Sequence, residues 1–254
     1  MPHQFLRKLE RLGSLSPTDK EVLVALLRRP LINLPKGSDL IRIGDIASSI
    51  RVLLSGWGLR YKFLPDGRRQ ILSLVLPADI CEMNVFSSLQ MDHSIIAAAP
   101  TVLAEISRDD LQALMARKPA IRNYFLRDLQ LTIGLLQEAI VNIGQRTALE
   151  RMANLFCELH ARLDLIGSAP DMQFEFPLVQ ADLAAATGLS TVHVNRTLQE
   201  LRHLQLITLS GKQLRILDVA GLRALALFNP DLVRLTGPSQ TSADRFQLDW
   251  SIVG

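Results

Sequence analysis

Apolar positions along this chain follow two rhythms, and the places where one gives way to the other divide it. Residues 1–35 read as helical. Ser16-Pro17-Thr18-Asp19 supplies an N-cap, a proline at the first helical position and an acid in the first turn; the apolar run 22–27 follows, and Pro30 ends it. From 34 to about 106 short β-type runs (40–43, 52–54, 57–64, 70–76, 93–98 and 102–106) are separated by Lys36-Gly37, Gly44-Asp45, Ser55-Gly56, Pro65-Asp66-Gly67 and Pro77-Ala78-Asp79. Many short strands with evenly placed turns predict an antiparallel sandwich or barrel, best fitted by a jelly roll.

The helical rhythm then returns. Residues 109–117 predict a short helix, and Pro119 opens a long one in which Leu126, Leu129, Ile133, Leu136, Ile140 and Ile143 step by three and four, a seam of coiled-coil type. Tyr124, Leu131 and Leu135 form a second stripe on another face. One helix with two apolar faces needs two partners: its own barrel on one side and the same helix of a second subunit on the other. The alternative is a helix buried within a monomer. Gly144 is expected to break the run, and 147–163 resumes as an amphipathic helix.

Within 180–201 two short helices are joined at Thr187-Gly188-Leu189, where Gly188 suits a turn that needs positive φ. Small Ala184 and Ala185 permit close helix approach, and Leu183 and Leu189 face a shared core. Ser190 is an N-cap type. The second helix has Val194, Thr197, Leu198 and Leu201 on one side, at i, i+3, i+4 and i+7. The other side carries Ser190, Thr191, Val192, Asn195, Arg196 and Gln199, the hydrogen-bonding, charged and small apolar groups that reading base edges requires. An ordinary α-hairpin would look similar. What separates the two is the strand–turn–strand at 207–209, Ser210-Gly211-Lys212 and 213–217, with a further strand at 174–176: a winged helix-turn-helix, with Lys212 in the wing turn.

The remaining composition narrows the function. Among 254 residues 48% are hydrophobic, enough for a real core. No apolar run approaches the ~18 residues of a membrane span, and the start MPHQFLRKLERLG lacks the apolar run of a signal peptide, so a cytoplasmic protein is expected. Net charge is only +3, but Arg196, Arg202, His203, Lys212 and Arg215 cluster around the reader helix and wing, with Glu200 the one acid between Ser190 and Leu217. A locally basic surface suits a phosphate backbone. Cys81 and Cys157 form no CxxC pair, and of the five histidines only His93 lies in the β region, so no metal site is expected. A cupin-type enzyme is thereby disfavoured. A roll that signals through protein contacts alone, without specific DNA binding, stays as the alternative function.

A β-roll, a long helix and a C-terminal winged helix, with KGSDLIRIGD (36–45), LLSGW (53–57), LPDGRRQIL (64–72) and the helix-turn-helix, resemble the Crp/Fnr family of bacterial transcription regulators. The resemblance implies an α+β chain divided at 1–118 (helices and a cyclic-nucleotide-binding-like roll), 119–145 (dimerisation helix), 146–236 (winged helix-turn-helix) and 237–254 (a loose tail). It implies a homodimer on double-stranded palindromic DNA that acts on RNA polymerase. Family reader helices often open Ser-Arg-Glu-Thr with a further Arg one turn on. Ser190 and Arg196 match, but Thr191 and Val192 replace the Arg and Glu, so the operator should differ from that of the catabolite activator. Cyclic-nucleotide binders hold phosphate with Gly-Glu and Arg-Ser pairs; here they are Cys81-Glu82 and His93-Ser94. Histidine lacks the permanent charge and planar fork of arginine. No cofactor, and neither cyclic AMP nor cyclic GMP, is expected. Another effector would meet Glu82, His93 and Ser94, unless these three only close the roll. No cysteine precedes Cys81, so the iron–sulfur cluster of the oxygen sensors has no ligands there.

Overall fold

The computed structural model describes residues 2–12, 15–28, 31–82 and 89–233. The predicted tail 237–254 and the helix-ending Pro30 lie outside them. α1 (Pro2–Leu12) and α2 (Pro17–Leu27) come first. α2 starts as its sequence predicts: the Ser16 hydroxyl accepts from the Asp19 amide, and the Asp19 carboxylate accepts from the Ser16 amide. That reciprocal box occupies free donors of the first turn. Helix does not persist to residue 35. Ile32–Leu34 is a strand, β1, paired antiparallel to residues 101–103. A run of three is too short for periodicity to separate helix from strand, and the partner strand decides.

β2 (Asp39–Ile41), β3 (Ser49–Ser55), β4 (Gly58–Phe63), β5 (Arg69–Val75), β6 (Ser94–Ala97) and β7 (Thr101–Ser107) follow, each where a strand is predicted. They form two antiparallel sheets, ordered β1-β7-β3 and β2-β6-β4-β5. Leu40, Leu53, Val75, Ile95 and Leu103 fill the roll. Gly56, between β3 and β4, has φ +86°, and a Cβ there would collide with the Pro100 carbonyl. No other residue fits that turn.

α3 (Arg108–Arg117), α4 (Pro119–Gln145) and α5 (Ala148–Leu165) lead away from the roll. Gly144 does not break α4, which runs through it. One glycine costs a helix only about 1 kcal/mol against alanine. The break comes at Arg146, extended at φ −83° and ψ 147°, followed by Thr147, whose hydroxyl and Glu150 form a second capping box. The two faces of α4 separate as predicted. Tyr124, Leu131 and Leu135 are buried, but against more than the roll: Tyr124 stacks edge-on to Phe5 of α1 at 5.8 Å, Leu131 and Leu135 join Val233, and β5 lies alongside. The seam is uncovered in the chain: Leu126 is 52%, Ile133 46% and Ile140 72% exposed, Leu129 and Ile143 are exposed, and Leu136 is half-buried. Among the described residues nothing buries this face of α4.

A buried ion cluster fastens these parts together. Lys8 of α1 lies 2.8 Å from Asp79, in the turn after β5, and 2.6 Å from Asp128 of α4. Arg162 of α5 pairs with Asp79 and, at 2.8 Å, with Glu158. Burial alone would raise the Asp79 pKa, but the Lys8 and Arg162 charges hold it down to about 2. Burial likewise opposes the Lys8 charge, and Asp128 and Asp79 more than reverse it, leaving its pKa raised. Removing the cation leaves Asp128 without its ion pair in the interior, while Asp79 keeps Arg162. Lys8→Ala should therefore cost about 3–5 kcal/mol, read as a lowered midpoint of urea unfolding. Lys20→Ala, which breaks only the exposed pair to Glu10, should move that midpoint far less.

Candidate nucleic-acid interface

β8 (Gln173–Glu175), α6 (Gln180–Thr187), α7 (Thr191–His203), β9 (Ile207–Ser210), β10 (Gln213–Ile216) and α8 (Val219–Ala226) form the C-terminal unit. Asp182 caps α6 by accepting from the Val179 amide at 3.2 Å. Gly188 ends α6 in the left-handed region at φ +66°. After it the Ser190 hydroxyl accepts from the His193 amide at 3.2 Å and starts α7. Val194, Thr197, Leu198 and Leu201 are buried, as their spacing predicts. Ser190, Thr191, Val192, Asn195, Arg196 and Gln199 all face outward, with Val192 60% exposed. His193 is exposed on the same helix and was not singled out by the pattern. The sequence places these residues on one outer face, and the fold puts them there.

The wing is a two-residue hairpin. Gln213 pairs with Ser210, and the residues between, Gly211 at φ +57° and Lys212 at φ +73°, both take positive φ, as the turn that matches strand twist requires. Lys212 stands exposed at the tip, and Arg215 is exposed on β10. Among the described residues neither these two nor Arg196 forms an ion pair. Arg202 is partly engaged, donating to the Leu209 carbonyl at 3.3 Å.

This unit is not separate from the roll. Phe176 meets Trp57 of the roll edge-on at 6.1 Å and Phe156 of α5 at 5.6 Å, within one continuous core. Asp182, besides capping α6, accepts from Arg69 of β5 at 2.6 Å. Arg162 reaches the Leu74 carbonyl at 2.9 Å. None of these long-range pairs has a signal in local spacing.

In the roll, Glu82, His93 and Ser94 are each bound separately, and no hydrogen bond joins them. Glu82 is buried and accepts from the Arg51 amide at 3.0 Å; burial pushes its pKa up to about 8, despite Arg51. The Ser94 hydroxyl accepts from the Ile43 amide at 3.0 Å. His93 shares a hydrogen bond with Asp92 at 2.7 Å, and burial lowers its pKa. The sequence offered no sign of Arg60. It follows Gly58 on the inward face of β4, donates to the Cys81 carbonyl at 2.7 Å and to Ser73 at 3.1 Å, and is itself largely buried. It lines a cavity of about 30 Å³ with Thr132 and Leu135 of α4. Such a space holds a water molecule and nothing larger. These residues do not fit a cyclic phosphodiester: the Cys81 amide donates to the Arg51 carbonyl at 2.8 Å, and both terminal nitrogens of Arg60 donate to protein acceptors. Cys81 and Cys157 are buried with raised thiol pKa values, that of Cys157 reaching about 12. Among the described residues no cluster of three His, Cys, Asp or Glu side chains is placed to hold a metal, and no helix is long and apolar enough to cross a membrane.

Comparison with known proteins bears on the whole arrangement. A cyclic nucleotide-binding domain model matches residues 31–118, and a Crp-like helix-turn-helix domain model matches 150–225, together more than half of the chain. The transcriptional activator protein FnrA of Stutzerimonas stutzeri is 28% identical over 213 residues, 84% of this chain and 86% of its own. An anaerobic regulatory protein of Haemophilus influenzae is 27% identical over 81% of this chain and 76% of its own. Among solved structures, FixK2 from Bradyrhizobium japonicum superposes with a TM-score of 0.67 at 22% identity, covering 77% of this chain and 96% of that one. With both domains present in this order, and relatives that are regulators along nearly the same length, the chain belongs to the Crp/Fnr family of transcription regulators and is a sequence-specific DNA-binding protein.

Proposed function

We propose that the chain acts as a homodimer on a palindromic operator, reads it with the outer face of α7, and needs no cyclic nucleotide to do so. The observation that carries the reading is the outer face itself: every side chain predicted to meet bases is exposed, and of these Ser190 alone is bonded within the fold among the described residues, as the cap of α7. Arg196 is suited to a guanine, bidentate, and Val192 to a thymine methyl. Lys212 at the wing tip is suited to phosphate. The seam of α4 supports a twofold assembly, because Leu126, Ile133 and Ile140 have no cover among the described residues. The named activators among its relatives favour contact with RNA polymerase once bound.

Three outcomes test this. First, Arg196→Ala should weaken binding to the cognate site by about 1–3 kcal/mol and relax preference at one base pair per half-site, while Lys212→Ala should weaken all sequences evenly and flatten the salt dependence. A gel shift against cognate and random duplexes separates the two, and equal effects of both changes on both duplexes would count against α7 as reader. Second, Ile140→Asp alters a side chain already 72% exposed in the chain, so the subunit should fold, yet it buries a carboxylate in the seam of the dimer. The dimer should lose about 3–5 kcal/mol and appear as monomer mass at micromolar concentration; an unchanged dimer mass would exclude the seam. Third, titration calorimetry with cyclic AMP at pH 7.5 should give no heat of micromolar binding, because burial keeps His93 neutral there and Arg60 is already bonded. Micromolar affinity would overturn that part of the reading.

A further inference from the structure

The end of α4 and the turn of the helix-turn-helix meet at one side chain. Arg151, in the first turn of α5, donates from Nη1 to the Thr187 carbonyl at 2.7 Å, and from Nη2 to the carbonyls of Ile143 at 2.8 Å and Arg146 at 3.0 Å. Thr187 is the last residue of α6, Ile143 lies in the last turn of α4, and Arg146 is the extended link to α5. Carbonyls at a helix C-terminus lack intrahelical partners and concentrate partial negative charge, so a cation is favoured there. A guanidinium can serve several at once, because its donors are splayed in a rigid planar fork; an ammonium is a point charge on a flexible stem.

The packing around it is equally direct. A Cβ built on Gly188 would lie 3.5 Å from Arg151 Nη1 and 3.6 Å from Ile143 Cγ2, so the turn rests on the last seam residue of α4. Asn142 donates to the Arg151 carbonyl at 3.2 Å and ties α4 to α5 a second time. Only Leu189 and the N-cap Ser190 then separate Gly188 from α7.

We propose that Arg151 is a positioning residue that sets the separation and angle of the two reader helices, and so determines which half-site spacing the dimer accepts. The proposal rests on the dimer reading above. In that reading the seam fixes α4 relative to the twofold axis, and Arg151 fixes the helix-turn-helix relative to the end of α4. Half-sites recur at ~34 Å, about 10 base pairs, so one added base pair displaces a half-site by ~3.4 Å and about a tenth of a turn. Reader helices held by a stiff joint cannot follow that displacement, whereas helices on a loosened joint can.

The test uses the full-length wild type, Arg151→Ala and Arg151→Lys, with dimer mass and thermal unfolding measured for each. Binding is compared on the cognate operator, on operators lengthened or shortened by one central base pair, and on random DNA. Wild type should lose about a hundredfold on the altered spacings. In Arg151→Ala that ratio should shrink to about tenfold or less, with random-DNA affinity and dimer mass unchanged and Arg151→Lys in between. An unchanged spacing ratio overturns the proposal, and so does a uniform loss on every duplex, which is what a merely structural arginine would produce. If Arg151→Ala does not unfold cooperatively, the ratio for Arg151→Lys decides by the same two criteria. Failure of wild type to bind any palindrome as a dimer would remove the dimer reading and this proposal with it. That result is recognised from wild type alone, before any variant is compared.

Discussion

α4 carries more apolar surface than the described residues of the chain cover, and most of the architecture follows from how that surface is divided. One face is enclosed by α1, β5 and the turn at 230–233, which bury Tyr124, Leu131 and Leu135. The other face runs its length unprotected. A contiguous stripe of large apolar side chains along a helix is a contact surface by default, since monomeric proteins rarely leave one in water. Because the seam continues to Ile143, and Ile143 supports the turn at Gly188, the element proposed to recruit a second subunit also supports the helix-turn-helix. In that proposal dimerisation and DNA reading share one lever.

Charge is distributed by a complementary rule. Interior charges are paired: Lys8, Asp79, Asp128, Glu158 and Arg162 form a closed set in which each carboxylate meets a cation within hydrogen-bonding distance. Lone charges in such a place would be neutralised by shifts in pKa, and pairing is what lets Asp79 stay ionised. At the outer surface of the C-terminal unit the rule is reversed. Arg196, Lys212 and Arg215 form no ion pair among the described residues, and a cation without a local partner keeps its full attraction for phosphate.

What could be read from the sequence was what is local. The capping residues Ser16 and Ser190, the seam, the strands of the roll and the two faces of α7 all depend on neighbours within one or two turns, and each stands where the pattern places it. β1 and the end of α4 were misread because a three-residue strand and a tolerated glycine are decided by tertiary contacts. Lys8, Arg60, Asp182 and Arg151 were not legible at all. An isolated Arg or Lys in an amphipathic segment looks like a solvated charge, and only the fold brings a partner tens of residues away to meet it. The same blindness misjudged the roll. The sequence shows a missing arginine at position 93; the structure shows another at position 60, already engaged.

Any signal passing from the roll to the helix-turn-helix would have to cross the contacts that join them. Those are Trp57 with Phe176, Arg69 with Asp182, and Arg162 with the Leu74 carbonyl, and all three originate on or beside the β4–β5 hairpin. A ligand can shift a conformational equilibrium only by binding one arrangement better than the other. In this roll Glu82, Ser94 and Arg60 each bond to backbone or hydroxyl partners of the protein itself, while Glu82 Oε2 and Arg60 Nε have no hydrogen-bond partner among the described residues. The β4–β5 hairpin is bonded through Arg69 to Asp182 of α6, and α6 ends at the carbonyl held by Arg151. The connection from roll to helix-turn-helix is thus short and built from polar contacts.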